Sequence, residues 1–234
     1  MRISDPARRT QPNADSAAED YLKTIYHHTE WQSNPVTPSV LAATIGVAPS
    51  SVTEMAKKLA VLGLVNYEPY KPLTLTDEGV RRARGVIRRH RLIETWLVSE
   101  MGYDWHEVHD EAEVLEHSIS ERLLDAIDAR LGFPTEDPHG DPIPSADGTV
   151  RDYSAHLLSA AVAGSSYIVV RISDRDPALL EMLAAAGIRP GTEVRLSAPD
   201  AAGAALRMVA AREGGSAVDV SDSSASSIWV STLA

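Results

Sequence analysis

The chain has 234 residues, no cysteine, and 22 Lys+Arg against 33 Asp+Glu, for a formal net charge of −11. The absence of cysteine excludes disulfides, thiolate zinc sites and iron–sulfur clusters, so any metal must be held by oxygen and imidazole nitrogen. No apolar run approaches the ~20 residues that span a bilayer. Residues 1–18 are polar and lack the apolar core of a signal peptide, so the expected location is the cytoplasm.

The charge is unevenly spread. Residues 1–91 carry 13 Lys+Arg against 9 Asp+Glu, a net of +4, whereas 92–234 carry 9 against 24, a net of −15. A basic end joined to an acidic remainder suggests two different tasks.

In chain order, residues 1–16 read as a disordered arm. Tyr21, Leu22, Ile25 and Tyr26 predict a helix over 17–29, with Asp15 or Ser16 as its N-cap. Thr37-Pro38-Ser39 opens a short helix that Gly46 ends, Thr capping and Pro occupying the first turn. Pro49-Ser50-Ser51 opens another, with Val52, Met55, Ala56, Leu59 and Leu62 as its buried stripe and Gly63 as its terminator. This is a helix-turn-helix layout. Short strands over 64–67 and 73–76, joined by a Pro-containing tip, form a wing behind it. A long helix is expected from 77 to about 101, and another over 105–131. A Pro/Gly/Asp-rich connector follows over 132–148. The last third switches to short strands at 167–172, 193–197, 205–210, 217–220 and 227–231, with a helix at 177–186, which suggests a small SH3-like β-barrel. The expected fold class is mainly α with small β elements. Its parts are a winged helix-turn-helix DNA-binding domain over 17–79, a helical dimerisation and metal-binding domain over 80–150, a linker over 151–165 and the barrel over 166–234.

Metal-ligating residue types gather in the middle of the chain. His109, Glu113, Glu116 and His117 fall at i, i+4, i+7 and i+8 and share a face on a continuous helix. His90 and Glu94 form a second i, i+4 pair about five helical turns upstream, counted at 3.6 residues per turn. Two imidazole–carboxylate sets behind a DNA-binding pattern point to a metal-responsive protein. His27, His28, His106 and His139 are read as structural or surface histidines, and Trp96, Leu97, Leu123, Leu124 and Ile127 as core and dimer interface.

With those residues placed, the chain resembles the diphtheria toxin repressor family of metal-dependent transcriptional regulators. The resemblance rests on Glu19-Asp20-Tyr21-Leu22-Lys23-Thr24-Ile25-Tyr26, Pro49-Ser50-Ser51-Val52-Thr53, Arg89-His90-Arg91-Leu92-Ile93-Glu94, segment 108–117 and the Asp137-Pro138-His139-Gly140-Asp141-Pro142-Ile143-Pro144 connector. It implies a homodimer that binds operator double-stranded DNA, expected to be palindromic, when loaded with iron(II) or manganese(II), and that represses metal uptake. It implies a primary metal site at Asp20, Glu113, Glu116 and His117. It also implies an ancillary site at His90, Glu94 and His109, completed from the barrel by Asp174 or, alternatively, Asp176. Iron-sensing members carry Met and Cys at the positions of Asp20 and Glu113. The two hard carboxylates here resemble the manganese branch, with Mn2+ as expected cofactor, Fe2+ as alternative and Co2+ as surrogate. Lys23 stands where short manganese regulators place a Glu, which argues for two separated sites over a close two-metal cluster.

For DNA, Ser50, Ser51 and Thr53 are expected in the first turns of the recognition helix, where hydroxyls suit phosphate and base-edge contacts. Lys57, Lys58 and Lys71 at the wing tip are expected phosphate contacts. Two other functions compete. Carboxylate-bridged metalloenzymes use a Glu-x-x-His pair on each of two helices, whereas Glu113 and His117 are four apart and have no matching second motif. A repressor answering to an organic ligand would leave operator binding indifferent to metal.

Overall fold

A computed structural model describes residues 14–31, 35–200, 204–211 and 216–233. Most of the expected arm over 1–16 lies outside them, and helix α1 (Ala14–Glu30) opens within that stretch, three residues before its expected start. The chain divides into two compact units, Met1–Ile87 and Arg88–Ala234.

In the first unit, Thr37 caps α2 (Pro38–Ile45) by accepting from Val40 N at 3.3 Å, and Gly46 ends it at φ 75°. Helix α3 (Pro49–Val61) follows Ala48, which has no side chain able to cap. Val52, Ala56 and Leu59 turn inward, but Leu62 is exposed because the helix has ended at Val61 and the chain is already turning. Strands β1 (Val65–Asn66) and β2 (Thr74–Leu75) pair antiparallel, and Val36 adds a bridge to Leu73. Tyr21, Leu22, Ile25, Leu41, Val52, Leu59 and Leu73 form one core, each Leu-sized side chain contributing about 1.5–3 kcal/mol. Helix α4 (Asp77–Glu100) gives its opening turns to this unit and its remainder to the second. Gly79 is required where α4 begins, since a Cβ there would collide with the Leu64 carbonyl. The result is a winged helix-turn-helix.

In the second unit the single helix expected over 105–131 is split into α5 (Val108–Leu115) and α6 (Glu121–Arg130). The Leu115 carbonyl takes the amides of Ser118 and Ile119 at 2.9 and 3.0 Å, and Ser120 caps α6 by accepting from Leu123 N at 3.3 Å. The i→i−3 bond of Ser118 tightens the end of α5, and the Ser120 cap opens α6 afresh. The connector is not a solvated loop, because Asp137, His139, Asp141 and Ile143 are all buried. Gly140, at φ +88°, lets its backbone lie against Val170, whose carbonyl a Cβ would strike, and Ile172 N donates to the His139 carbonyl at 2.9 Å.

The remaining elements are β3 (His156–Leu157), a 3-10 turn (Leu158–Ala160), β4 (Ser166–Ile172), α7 (Pro177–Ala185), β5 (Glu193–Ser197), β6 (Leu206–Ala210), β7 (Ala217–Val220), α8 (Asp222–Ala225) and β8 (Ile228–Thr232). The sheet order is β3-β8-β4-β5-β6-β7, with every neighbour antiparallel, an SH3-like arrangement. The segment expected as a linker, 151–165, contributes β3 and the fully buried Leu158 to this domain. Its Ala/Gly/Ser composition resembles a tether, but its apolar His156-Leu157-Leu158 step fits the edge of β8. Trp105, from the helical part, lies in the same core as Val169, Ile172, Leu183 and Val230. That shared core fixes the barrel relative to α4 and α5 inside the second unit.

Candidate metal centre

Helix α4 brings His90 and Glu94 to one face by their i, i+4 spacing, and both are buried. His109 enters from α5, its ring edge-on to His90 with centroids 5.0 Å apart. Glu94 Oε1 lies 3.1 Å from His90 Nε2 and 3.6 Å from His109 Nδ1. From the barrel, Asp174 Oδ2 lies 2.9 Å from His109 Nδ1. Asp176 has a different task, accepting from Leu179 N at 3.1 Å as the N-cap of α7. Ligand atoms of His90, Glu94, His109 and Asp174 fall within 4.8 Å of one another.

A neighbouring group shares Glu94. Asp137 and His139 of the connector place ligand atoms within 4.8 Å of each other and of Glu94, and all three residues are buried. From the sequence His139 is expected to be structural or solvent-exposed, and the structure buries it with Asp137 beside Glu94. The Asp137-x-His139 spacing in a proline-rich segment was the one available signal. His139 Nε2 donates to the Trp105 carbonyl at 2.7 Å, which fixes the ring and leaves Nδ1 facing Glu94 Oε2 and Asp137 Oδ1, each at 3.9 Å. A second nitrogen anchored on a backbone carbonyl is the usual support for a metal-ligating imidazole.

Charge is concentrated here. Burial alone would raise the Glu94 carboxyl, but the charge of His90, with hydrogen bonds from His109 and His90, holds it well below the ordinary range. Burial works against a charged His109, yet its bonds to Asp174 and Glu94 push it up to about 11. His139 is likewise raised against its burial, chiefly by Glu94 and Asp137. Burial, then the charge of Asp141, lifts Asp137 to about 7. Buried His139 Nδ1 makes no hydrogen bond among the described residues. A divalent cation fits this set: the donors are hard oxygens and imidazole nitrogens gathered around the buried Glu94, and His139 Nδ1 there has no other partner.

Glu116 and His117 lie in the turn after α5, so the shared helical face expected for 109, 113, 116 and 117 breaks at Leu115. Glu116 Oε2 accepts from His90 Nδ1 at 2.6 Å, and Glu116 Oε1 lies 3.4 Å from His117 Nε2. Glu113 turns a half-exposed carboxylate toward His109 Nε2 at 3.6 Å. Asp20 is on α1 of the first unit.

Three family descriptions match the chain in order. They are the N-terminal DNA binding domain of iron dependent repressors over 15–73, their metal binding and dimerisation domain over 76–145, and an FeoA domain over 156–232. A diphtheria toxin repressor from Corynebacterium efficiens is 32% identical over 186 residues, covering 75% of this chain and 80% of that one. The chain belongs to the diphtheria toxin repressor family. The iron-dependent repressor IdeR of Mycobacterium tuberculosis is 30% identical over 200 residues, covering 80% of this chain and 86% of that protein. A solved manganese-dependent transcriptional repressor in complex with manganese superposes with TM-score 0.86 at 46% identity, covering 92% of this chain and 100% of that one. Members of the diphtheria toxin repressor family are metal-dependent DNA-binding repressors and not enzymes, which sets aside the metalloenzyme reading. No helix among the described residues is long and apolar enough to cross a membrane.

On the DNA-binding unit of this family member, Ser50 and Ser51 are exposed in the first turn of α3, as are Lys57 and Lys58 farther along. Neither serine caps the helix, so capping does not occupy their hydroxyls. Thr53 is half-buried and donates to the Pro49 carbonyl at 3.0 Å. Lys71 sits at the hairpin tip, paired with Glu68 at 2.5 Å.

Proposed function

We propose that this repressor responds to manganese(II), binding a palindromic operator as a homodimer in the cytoplasm and silencing metal-uptake genes. The observation that carries the reading is the buried, sulfur-free donor set around Glu94, whose carboxylates and imidazoles suit a hard divalent ion. The likeness to a manganese-bound repressor supports the same metal. Iron(II) is the second reading, favoured by the iron-dependent relatives.

Within this reading His90, Glu94, His109 and Asp174 form an ancillary site, and Asp20, Glu113, Glu116 and His117 form the switch. Bound metal supplies positive charge that relieves repulsion among those carboxylates. A metal held there would favour the DNA-ready arrangement by population shift. Spacing of the two recognition helices in the dimer sets which half-sites are read. Ser50, Ser51 and Thr53 read or position, while Lys57, Lys58 and Lys71 neutralise phosphates. The test is operator affinity titrated with manganese, iron, cobalt and zinc at fixed salt, because phosphate contacts make affinity salt-dependent. Operator binding that ignores all four metals would sink the proposal.

A further inference from the structure

The wing ends in Glu68-Pro69-Tyr70-Lys71, where Lys71 N donates to the Glu68 carbonyl at 3.1 Å. Tyr70 takes φ 65°, so the tip has the form of a type II turn, with Pro69 at its second position and positive φ at its third. Glycine or asparagine is the usual residue there, because a Cβ crowds the backbone at positive φ. This chain sets a tyrosine at that position and leaves it fully exposed, at 105%. We propose that the Tyr70 ring is a DNA contact, packing on the deoxyribose face of the strand beside each half-site when α3 lies in the major groove. The proposal deepens the operator-binding reading and rests on it.

A lone exposed aromatic is ordinary on a protein surface. What sets Tyr70 apart is an unfavourable backbone conformation with no internal gain to offset it. Its ring covers no apolar neighbour in the first unit, whereas Tyr67, three residues earlier, packs on that unit's core. Side chains held in such conformations gather at binding sites. The tip is also stiff. Asn66 Nδ2 donates to Thr74 Oγ1 at 3.1 Å across the hairpin, and the buried Leu73 donates its amide to the Val36 carbonyl at 2.8 Å. Pro69 and Pro72 fix their own φ on either side of the tyrosine. An aromatic presented on so firm a hairpin loses little freedom on binding. Charge does not account for the tip, because Lys71 is paired with Glu68 and the pair is neutral. The ring is the group best placed to make a close contact, and sugar packing tolerates any sequence, since every nucleotide offers the same deoxyribose.

The experiment uses the full-length protein at one saturating manganese concentration and a duplex that the protein itself selects from a randomised pool. Hydroxyl-radical cleavage reads the accessibility of each deoxyribose directly. The parent should protect sugars flanking each half-site, and Tyr70→Gly should expose those sugars while protection within the half-site persists. Affinity should fall about tenfold in Tyr70→Gly, toward the lower end for loss of one aromatic stacking contact. The slope of log affinity against log salt should stay the same, because no charge is removed. Tyr70→Phe should match the parent in every readout. Tyr70→Asn, also at ease at positive φ, should match Tyr70→Gly, and both should melt no lower than the parent. An unchanged footprint and affinity in Tyr70→Gly overturns the proposal. So does a loss in Tyr70→Phe equal to that in Tyr70→Gly, which would put the contact on the hydroxyl. A melting temperature lowered in both the Gly and Asn variants overturns it too, by making the ring a structural part of the wing. Binding of the same duplex without metal is a separate measurement that bears on the manganese-responsive reading alone, so the two failures are told apart.

Discussion

His90 Nδ1 donates to Glu116 Oε2 at 2.6 Å while Nε2 of the same ring lies 3.1 Å from Glu94 Oε1. One imidazole therefore joins a carboxylate of the ancillary set to a carboxylate proposed for the switch. An ion on the Nε2 side polarises the ring and strengthens its bond to Glu116. The two sites are thus linked through a side chain and not merely through a common helix.

His90→Ala should consequently act at both ends. Glu94 and Glu116 are buried and lose this partner, so the metal-free protein should lose about 1.5–3 kcal/mol of stability, the range for hydrogen bonds to charged groups. The operator response to manganese should weaken roughly 5–150-fold, a normal span for a coupling energy, and remain metal-dependent. Denaturant melts and operator affinity against free manganese measure the two effects. Complete loss of the response would place His90 within the switch itself.

The metal's grip should tighten as pH rises. His109 holds its proton up to about 11, well above the ordinary 6.5, because of Asp174 and Glu94. That proton favours the metal-free fold fully below the ordinary value, and the contribution disappears as pH climbs through about 11. A cation binding at His109 must displace the proton, so apparent manganese affinity should rise across this window by up to about tenfold per pH unit. Calorimetry in buffers of different ionisation enthalpy would register the released proton. A flat affinity between about pH 7 and 9 contradicts it.

Much of this centre was legible in the sequence, and the rest was hidden for identifiable reasons. His90 and Glu94 are four apart on a helix whose periodicity survives in the fold, so their pairing could be read directly. Glu116 and His117 could not be placed by the same rule, because α5 ends at Leu115 in a turn tightened by the i→i−3 bond of Ser118. Asp174 and Asp176 are alike in composition and differ only in tertiary setting, one beside His109 and the other capping α7. Asp137 and His139 were hidden because a Pro/Gly-rich stretch normally marks solvent-exposed chain, whereas Gly140 here admits the backbone to the barrel.

Asp20→Ala should abolish manganese-activated operator binding and leave the dimer folded. The residue lies on α1 of the first unit and is not a member of the second unit's apolar cores. Sedimentation should find an unchanged dimer, while operator affinity at saturating manganese falls to the metal-free level. Unaltered metal dependence in this variant would refute the proposed role of Asp20.

Paired replacement of Asp20→Met with Glu113→Cys should move the response toward iron and cobalt, because two hard oxygens become softer sulfur donors. Ranking the metals by the concentration giving half-maximal operator binding checks this. An unchanged order would assign selectivity to the geometry of the remaining ligands.

Asp141 should be the most sensitive position in the joint between connector and barrel. Its Oδ1 accepts from Arg171 Nε at 2.6 Å and Arg91 Nη2 at 3.2 Å, and all three residues are buried. Arg171 also lies over the Trp229 ring at 4.3 Å, and Arg91 Nη1 donates to the Pro142 carbonyl at 2.6 Å, so neither guanidinium can swing into water without breaking other contacts. Asp141→Ala would take this carboxylate from two buried guanidiniums, at a cost of about 3–5 kcal/mol for breaking such a pair. Asp141→Asn, which keeps an acceptor oxygen, should lose less. Because β4 leads directly into Asp174, loosening this joint should also weaken manganese binding at His109, in the same order of variants. Urea denaturation paired with equilibrium dialysis measures both. If Asp141→Ala is as stable as the parent, the ion-pair joint does not hold the barrel in place, and the shared core around Trp105 must do so alone.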